Sequence, residues 1–380
     1  MNDPAGTPHL LHVFSTFVPA GPEMRTVRMI NALGDRYRHS ILAIDGRTDA
    51  AAEFVPDAPV TILPSLPRTG TPQTVRALRR LYRELQPDLV LSYNWGAFDS
   101  VIVSRITGRG KRHLHHEDGF NADEAATFKG RREWARRLLL PGLARVIVPS
   151  RVLEAIATRR WRLAPEGVAL VPNGIDLDAF AGESDGAPLR AELSIAANVP
   201  VIGFVGHLRP VKNVQRLLRT FAALDCQPAA HLVILGEGPE RSGLEAAITA
   251  RGLEERVHLV GHQSDTAPWY RLMDIFAISS DSEQMPVALL EAMASGLPVV
   301  STDVGDVAHM LPDEQREFVV GGDEEASRES DLRRAFETLL RDPTARASLG
   351  RSNRERAQER YSFELMLGAY DELYRNALTR

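Results

Sequence analysis

A chain of 380 residues exceeds what one hydrophobic core usually supports, and 44% hydrophobic with 25% charged residues are globular proportions; length and composition therefore favour two domains and exclude wholesale disorder. The net charge of −5 gives no global attraction for nucleic acid, and a single cysteine, Cys226, excludes an internal disulfide. The start MNDPAGTPHLLHVF lacks the basic and long apolar stretches of a secretory signal, and segments such as LLLPGLARVIV fall short of the roughly 20 apolar residues of a spanning helix; the expectation is a cytoplasmic protein, with membrane contact limited to the periphery of the inner face.

Along the chain, short β-branched and apolar runs alternate with helix-length amphipathic segments, the pattern of parallel α/β sheets. Strands are expected near Leu10–Ser15, Ser40–Ala43, Thr61–Leu63, Leu89–Ser92, Arg112–His115, Val146–Val148 and Ala169–Val171. The pattern then breaks at VPNGIDLDAFAGESDGAP, where Pro, Gly, Asn and Asp supply turn chemistry and little periodicity. It resumes with strands near Val201–Val205, Leu232–Leu235, Val257–Val260, Ile275–Ile278, Val299–Ser301 and Phe318–Val320, separated by helices such as Asn213–Leu224 and Pro286–Ser295. Two serial doubly wound Rossmann-like domains are the economical reading, over residues 1–174 and 175–358, with a C-terminal helix in 359–380 that returns toward the first domain. In such sheets ligands collect outside the carboxyl ends of the strands, so residues in strand-to-helix loops are the candidates for a site, in a cleft where the two sheets face each other.

Four loops of the second half stand out. After the strand at Val201, GHLRPVKN places Gly206, then Arg209 and Lys212, just ahead of a helix; a planar guanidinium fork and an ammonium point charge suit a diphosphate. Lys212 is one of only three lysines, with Lys111 and Lys129, in a chain whose other basic residues are arginine. The turn LGEGPE ends a strand at Gly236, and HLVGHQSD ends another at Gly261; each lets backbone approach a ligand, such as a base. In SSDSEQMPVALLEAMASG, Glu283 sits in the loop after a strand and Glu291 eight positions later in the following helix, so both carboxylates reach a ligand at the helix start, beside the backbone N–H groups of Gln284 and Met285.

In order and spacing, the GHLRPVKN loop, the LGEGPE turn, the Glu283/Glu291 segment and the VPNGID linker resemble the large family of retaining GT-B glycosyltransferases (family 4-like, group 1) that includes glycogen synthases, sucrose synthases and phosphatidylinositol mannosyltransferases. The resemblance covers nearly the whole chain and is strongest from Arg145 onward. It implies that Glu283 contacts the donor sugar, Glu291 binds the ribose hydroxyls, Arg209 and Lys212 hold the diphosphate and neutralise the leaving group, and the N–H groups of Gln284 and Met285 touch the sugar hydroxyls or distal phosphate. The expected activity is metal-independent transfer of a sugar from a nucleoside-diphosphate donor to a glycan, lipid-linked or small-molecule acceptor. No cofactor and no metal are expected, the donor being a substrate. The Asp-x-Asp at Asp176 and Asp178 belongs to the linker and has no accompanying ligand cluster. Two other readings are a non-catalytic sugar-nucleotide-binding scaffold and an epimerase or phosphorylase on the same fold.

In the first half, Gly21 stands where the family has a Gly-rich loop, although its usual Gly-Gly pair is here Ala20-Gly21. The family also places a His beside the donor sugar, in the loop that matches RHLHHEDGFNADE. His116 and Asp118 are both candidates there, with His115 a third, because aligning on Gly119 puts Asp118 at the position. Finally, residues 128–142, FKGRREWARRLLLPG, combine Lys129, Arg131, Arg132, Arg136 and Arg137 with Trp134 and leucines, a pattern that serves either as a solvated helix or as one lying on an anionic membrane.

Overall fold

The structure, a computed structural model, describes residues 6–66, 70–120, 129–182, 186–322 and 324–379. Residues 121–124 of the His-rich loop, Phe128 of the basic segment and residues 183–185 of the linker lie outside these.

The chain divides into two compact units, Met1–Pro172 with Leu367–Arg380, and Asn173–Met366. The divisions fall at Pro172/Asn173 and Met366/Leu367 rather than at the expected 174 and 358. The first has a local cause: Ile175 bridges to Ser362 and Asn173 bonds to Met285, so the NGID segment belongs with the second unit. The last helix, Phe363–Leu378, passes from the second unit into the first at Leu367.

The first unit is a seven-stranded parallel sheet in the order β3-β2-β1-β4-β5-β6-β7, with β1 His9–Phe14, β2 Arg38–Ala43, β3 Val60–Ile62, β4 Leu89–Tyr93, β5 His113–His116, β6 Arg145–Val148 and β7 Val168–Leu170. All six residues of β1 are buried, as a central strand covered on both faces requires. The second unit is a six-stranded parallel sheet, β10-β9-β8-β11-β12-β13, with β8 Val201–Val205, β9 His231–Leu235, β10 Val257–Gly261, β11 Ile275–Ile278, β12 Val299–Thr302 and β13 Val319–Val320. In each sheet the strand order reverses once, at β1/β4 and at β8/β11.

The helices around the second switch point form for readable reasons. Val214–Ala222 buries Val214, Leu217, Leu218 and Phe221, a single face at 3.6-residue spacing, and Asn213 caps it by accepting the Arg216 N–H at 3.1 Å. Burying Phe221 alone contributes about 1.5–3 kcal/mol. Val287–Ala294 follows Pro286 and buries Leu289, Leu290, Ala292, Met293 and Ala294, leaving Glu291 only half-buried on its polar side.

Candidate functional site

The loops leaving β8 and β11, the two strands at the switch point of the second unit, carry Lys212 and Glu283. Their side chains form an ion pair, and Glu283 also accepts the Ser280 hydroxyl at 2.7 Å. The pairing follows from how the loops are fastened. A short 3-10 turn, Pro210–Lys212, leads to Asn213 in the left-handed region at φ 44°, and the Ser279 hydroxyl donates to the Lys212 carbonyl at 3.0 Å. Asp281 N–H donates to the Val211 carbonyl at 2.8 Å. Beneath them the buried Arg216 donates to the Ser279 carbonyl at 2.7 Å and pairs with Asp281 at 2.6 Å and with Glu325. Those two carboxylates are nearly half exposed and screened by water, so the bond to the buried backbone carbonyl is the firmer tie. Arg209 begins the same turn and is exposed.

Two glycines make this packing possible. A Cβ on Gly236, at φ 140°, would lie 1.9 Å from the Gly206 carbonyl oxygen, and one on Gly305, at φ 53°, would lie 2.4 Å from that of Glu283. Gly236 therefore lets the β9 loop press onto the β8 loop, where a side chain has no room. Gly305 lets the loop after β12 rest on the backbone of Glu283 and Gln284, where Asp306 N–H donates to the Gln284 carbonyl at 2.9 Å. The Met285 carbonyl accepts from the Asn173 amide at 3.2 Å. Gly261 accepts the Gly236 N–H at 2.8 Å through its carbonyl, and so belongs to the same stack of loop backbones.

Glu291 accepts the Tyr270 hydroxyl at 2.8 Å. Burial, together with the Glu291 charge, holds the Tyr270 phenol well above its ordinary pKa, so it stays a donor and fixes one carboxylate oxygen. Sequence reading missed Tyr270, Ser280 and Gly305. Gly305 carries the same strand-end glycine signal that marked Gly236, whereas Tyr270, 21 positions before its partner, carries none. The linker carboxylate of Asp176 accepts the N–H groups of Asp178 and Ala179 at 3.1 and 3.3 Å, which is turn capping. Among the described residues no group of three or more His, Cys, Asp or Glu is placed to hold a metal ion.

In the first unit, the first turns of the helix Gly21–Leu33 and the loop after β5 bring together Glu23, Arg25 and Asp118. Arg25 pairs with Asp118 at 2.6 Å, both largely buried, and Asn94 accepts the Asp118 N–H at 2.8 Å. Burial, with the Asp118 charge adding, pushes the Glu23 carboxyl up to about 7. His116 stacks on Tyr93 at 4.3 Å and on Tyr370 at 5.8 Å, and its Nδ1–H donates to the Ser92 carbonyl at 3.1 Å. Burial first, and Arg25 second, hold its pKa well below the ordinary value, so the ring is neutral. His115 is taken by the Ser92 hydroxyl at 2.7 Å and approaches Glu117 at 3.5 Å, leaving Asp118 the most exposed of the three candidates. Gly21 opens the helix Gly21–Leu33 and is exposed.

The basic segment needs one correction. Arg136 is not on a solvated face: it is buried, paired with Glu117 at 2.8 Å, and lies over the rings of Trp95 and Trp161 at 5.2 and 5.0 Å.

Residues 19–179 match the model of Glycosyltransferase Family 4, and residues 187–356 that of Glycosyl transferases group 1. A D-inositol 3-phosphate glycosyltransferase of Saccharomonospora viridis is 32% identical over 246 residues, 62% of this chain and 56% of that protein; the chain spans about half the length of the curated relatives it matches. Among solved structures, Anabaena HepE in complex with UDP aligns with a TM-score of 0.80 at 21% identity, over 96% of this chain and 99% of that one. Sucrose-phosphate synthase of Thermosynechococcus elongatus aligns with a TM-score of 0.79 at 23% identity, over 97% and 98%. At these identities the structural likeness carries the fold, two parallel-sheet Rossmann-like units of GT-B type. With the two family models meeting in series across most of its length, the chain belongs to the family 4, group 1 glycosyltransferases.

Proposed function

We propose that the protein transfers a sugar from a nucleoside-diphosphate sugar to a hydroxyl of a glycan, lipid-linked or small-molecule acceptor, with retention at the anomeric carbon and without a metal. The observation that carries this reading is the Lys212–Glu283 pair at the β8/β11 switch point, with Arg209 in the same loop. As the bond from anomeric carbon to phosphate breaks, negative charge grows on the leaving diphosphate. Cations already fixed there stabilise the transition state more than the ground state. Lys212 is held by Glu283, and Glu283 by Ser280, so the ammonium needs little reorganisation. Glu283 then faces the sugar, Glu291, steadied by Tyr270, takes the ribose hydroxyls, and the N–H groups of Gln284 and Met285 meet the sugar or distal phosphate.

The acceptor oxygen attacks the face that the phosphate leaves. The new carbon–oxygen bond forms as the old one breaks, and the acceptor proton passes to a leaving phosphate oxygen, so no protein nucleophile is required. The UDP of the HepE complex makes uridine donors the first to try, and the named substrate of the Saccharomonospora relative makes inositol phosphates a natural acceptor panel. Proton NMR of the product formed from an α-linked donor in the presence of a chelator tests the reading: an α-anomer is expected. A β-anomer overturns retention, and loss of product on chelation overturns metal independence.

A further inference from the structure

The helix Gly130–Leu139 turns one side inward and is locked there. Glu133 accepts the Trp161 indole N–H at 3.1 Å and pairs with Arg160, while Arg136 lies buried against Glu117. Rolling the helix to bury anything else would strand these charges, at a cost of several kcal/mol. Its outward side is consequently obliged to show Trp134, 63% exposed, and Leu138, 68% exposed, one turn apart; they are the two most exposed large hydrophobic residues among those described. The Arg137 guanidinium lies 5.6 Å from the Trp134 ring centroid and donates to the Arg160 carbonyl at 2.7 Å, which brings the exposed Arg159, Arg160 and Arg162 alongside. Arg131 is exposed on the helix itself and Lys129 immediately before it. At its far end, the Arg105 guanidinium rests on Gly142, and Gly110 packs on the Gly142 carbonyl, so exposed Arg105, Ile106, Lys111 and Arg112 adjoin the same end.

The charge is concentrated here. Residues 105–162 hold fourteen Lys or Arg against six Asp or Glu, in a chain whose net charge is −5. A tryptophan and a leucine protruding together from a ring of arginines match a bilayer interface: indole at headgroup depth, the aliphatic side chain among acyl chains, and cations on anionic headgroups. We propose that this face of the first unit docks on an anionic phospholipid surface. Lipid is favoured over nucleic acid because a helix with one protruding indole offers no row of stacking platforms along a groove. No described helix is long and apolar enough to cross a membrane, so the attachment is peripheral. The surface belongs to the first unit and does not depend on the reading of the donor site in the second.

Sedimentation with phosphatidylcholine vesicles, and with an equal mixture of phosphatidylcholine and phosphatidylglycerol, tests this. The chain should pellet with the mixed vesicles only, and salt at about 1 M should release most of it. Arg131→Gln with Arg137→Gln should weaken partitioning about fivefold per charge, and Trp134→Ser with Leu138→Ser about tenfold or more, with an unchanged melting temperature showing that the fold is intact. On the unsubstituted protein, mixed vesicles should shift the tryptophan emission to the blue and protect it from acrylamide. Equal pelleting with both vesicles, pelleting with neither, or parental binding by both variants would overturn the proposal, as would retention on nucleic acid with no vesicle binding.

Discussion

Glu283→Gln should lower turnover by about 100- to 1000-fold while leaving nucleoside diphosphate bound at least as tightly as in the parent. The two effects separate because the proposed function gives Glu283 two duties. It holds the Lys212 ammonium and is itself held by Ser280, so without its charge the cation loses its anchor and the donor sugar loses a polar contact in the reacting geometry. Yet a carboxylate next to a diphosphate repels it, and the amide does not, so ground-state affinity is preserved or improved. Lys212→Ala should lose both affinity and turnover, because it leaves Glu283, largely buried, uncompensated beside an incoming anion. Steady-state kinetics paired with calorimetric titration distinguish the cases. Activity of Glu283→Gln within tenfold of the parent would remove Glu283 from the site.

Acid should unfold the first unit before the second. His12, His39, His113 and His116 are buried in the first sheet as neutral rings: His12 bonds to Tyr93 and to His39, each at 2.9 Å, and His113 to the hydroxyls of Ser92 and Ser104, each at 2.7 Å. Burial, joined by neighbouring positive charge, holds all four pKa values down, that of His39 to about 3. The unfolded chain protonates these rings near pH 6.5 and the folded chain does not, so below about pH 6.5 each costs about 1.4 kcal/mol of stability per pH unit. Glu23 acts in the opposite sense: its raised pKa of about 7 makes the folded unit take a proton that the unfolded chain refuses above 4.5, which returns one such increment. The net loss is about 4 kcal/mol per pH unit, or about 6 kcal/mol between about pH 6.5 and about pH 5, comparable with the lower end of an ordinary domain stability of about 5–15 kcal/mol. In the second unit only His231 and His258, stacked and less deeply buried, behave this way. Urea unfolding at about pH 7.5 and about pH 5.5, followed by near-ultraviolet circular dichroism and tryptophan emission, should show a separate early transition at the lower pH; a single pH-independent transition would contradict the assignment of these rings as neutral.

Much of this architecture is written locally in the chain. Strands buried on both faces of a parallel sheet read as unbroken apolar runs, so HLLHVF and HLVIL are recognisable without partners. Arg209, Lys212 and Glu283 were legible as candidates because they stand where a strand ends and a helix begins. What periodicity does not carry is pairing across distance. Lys212 and Glu283 are 71 residues apart, and nothing in either loop names the other. The basic helix shows the same gap: by spacing, Arg136 looks like its neighbours, and its burial is decided by Glu117 and by Trp95 and Trp161, which the fold delivers from three other elements. Gly236 was recognised as a tight turn, but only the approach of the Gly206 carbonyl explains why a side chain has no room there.

In the proposed function the β8 and β11 loops of the second unit bind a nucleoside diphosphate through Arg209 and Lys212. Calorimetric titration with UDP, GDP and ADP, each with and without chelator, on the parent protein and on Arg209→Ala and Lys212→Ala, tests it most directly. Saturable, chelator-insensitive binding of one diphosphate, weakened about tenfold or more by either substitution, is the predicted result. A folded parent protein that binds none of the three, or variants that bind as the parent does, would contradict it.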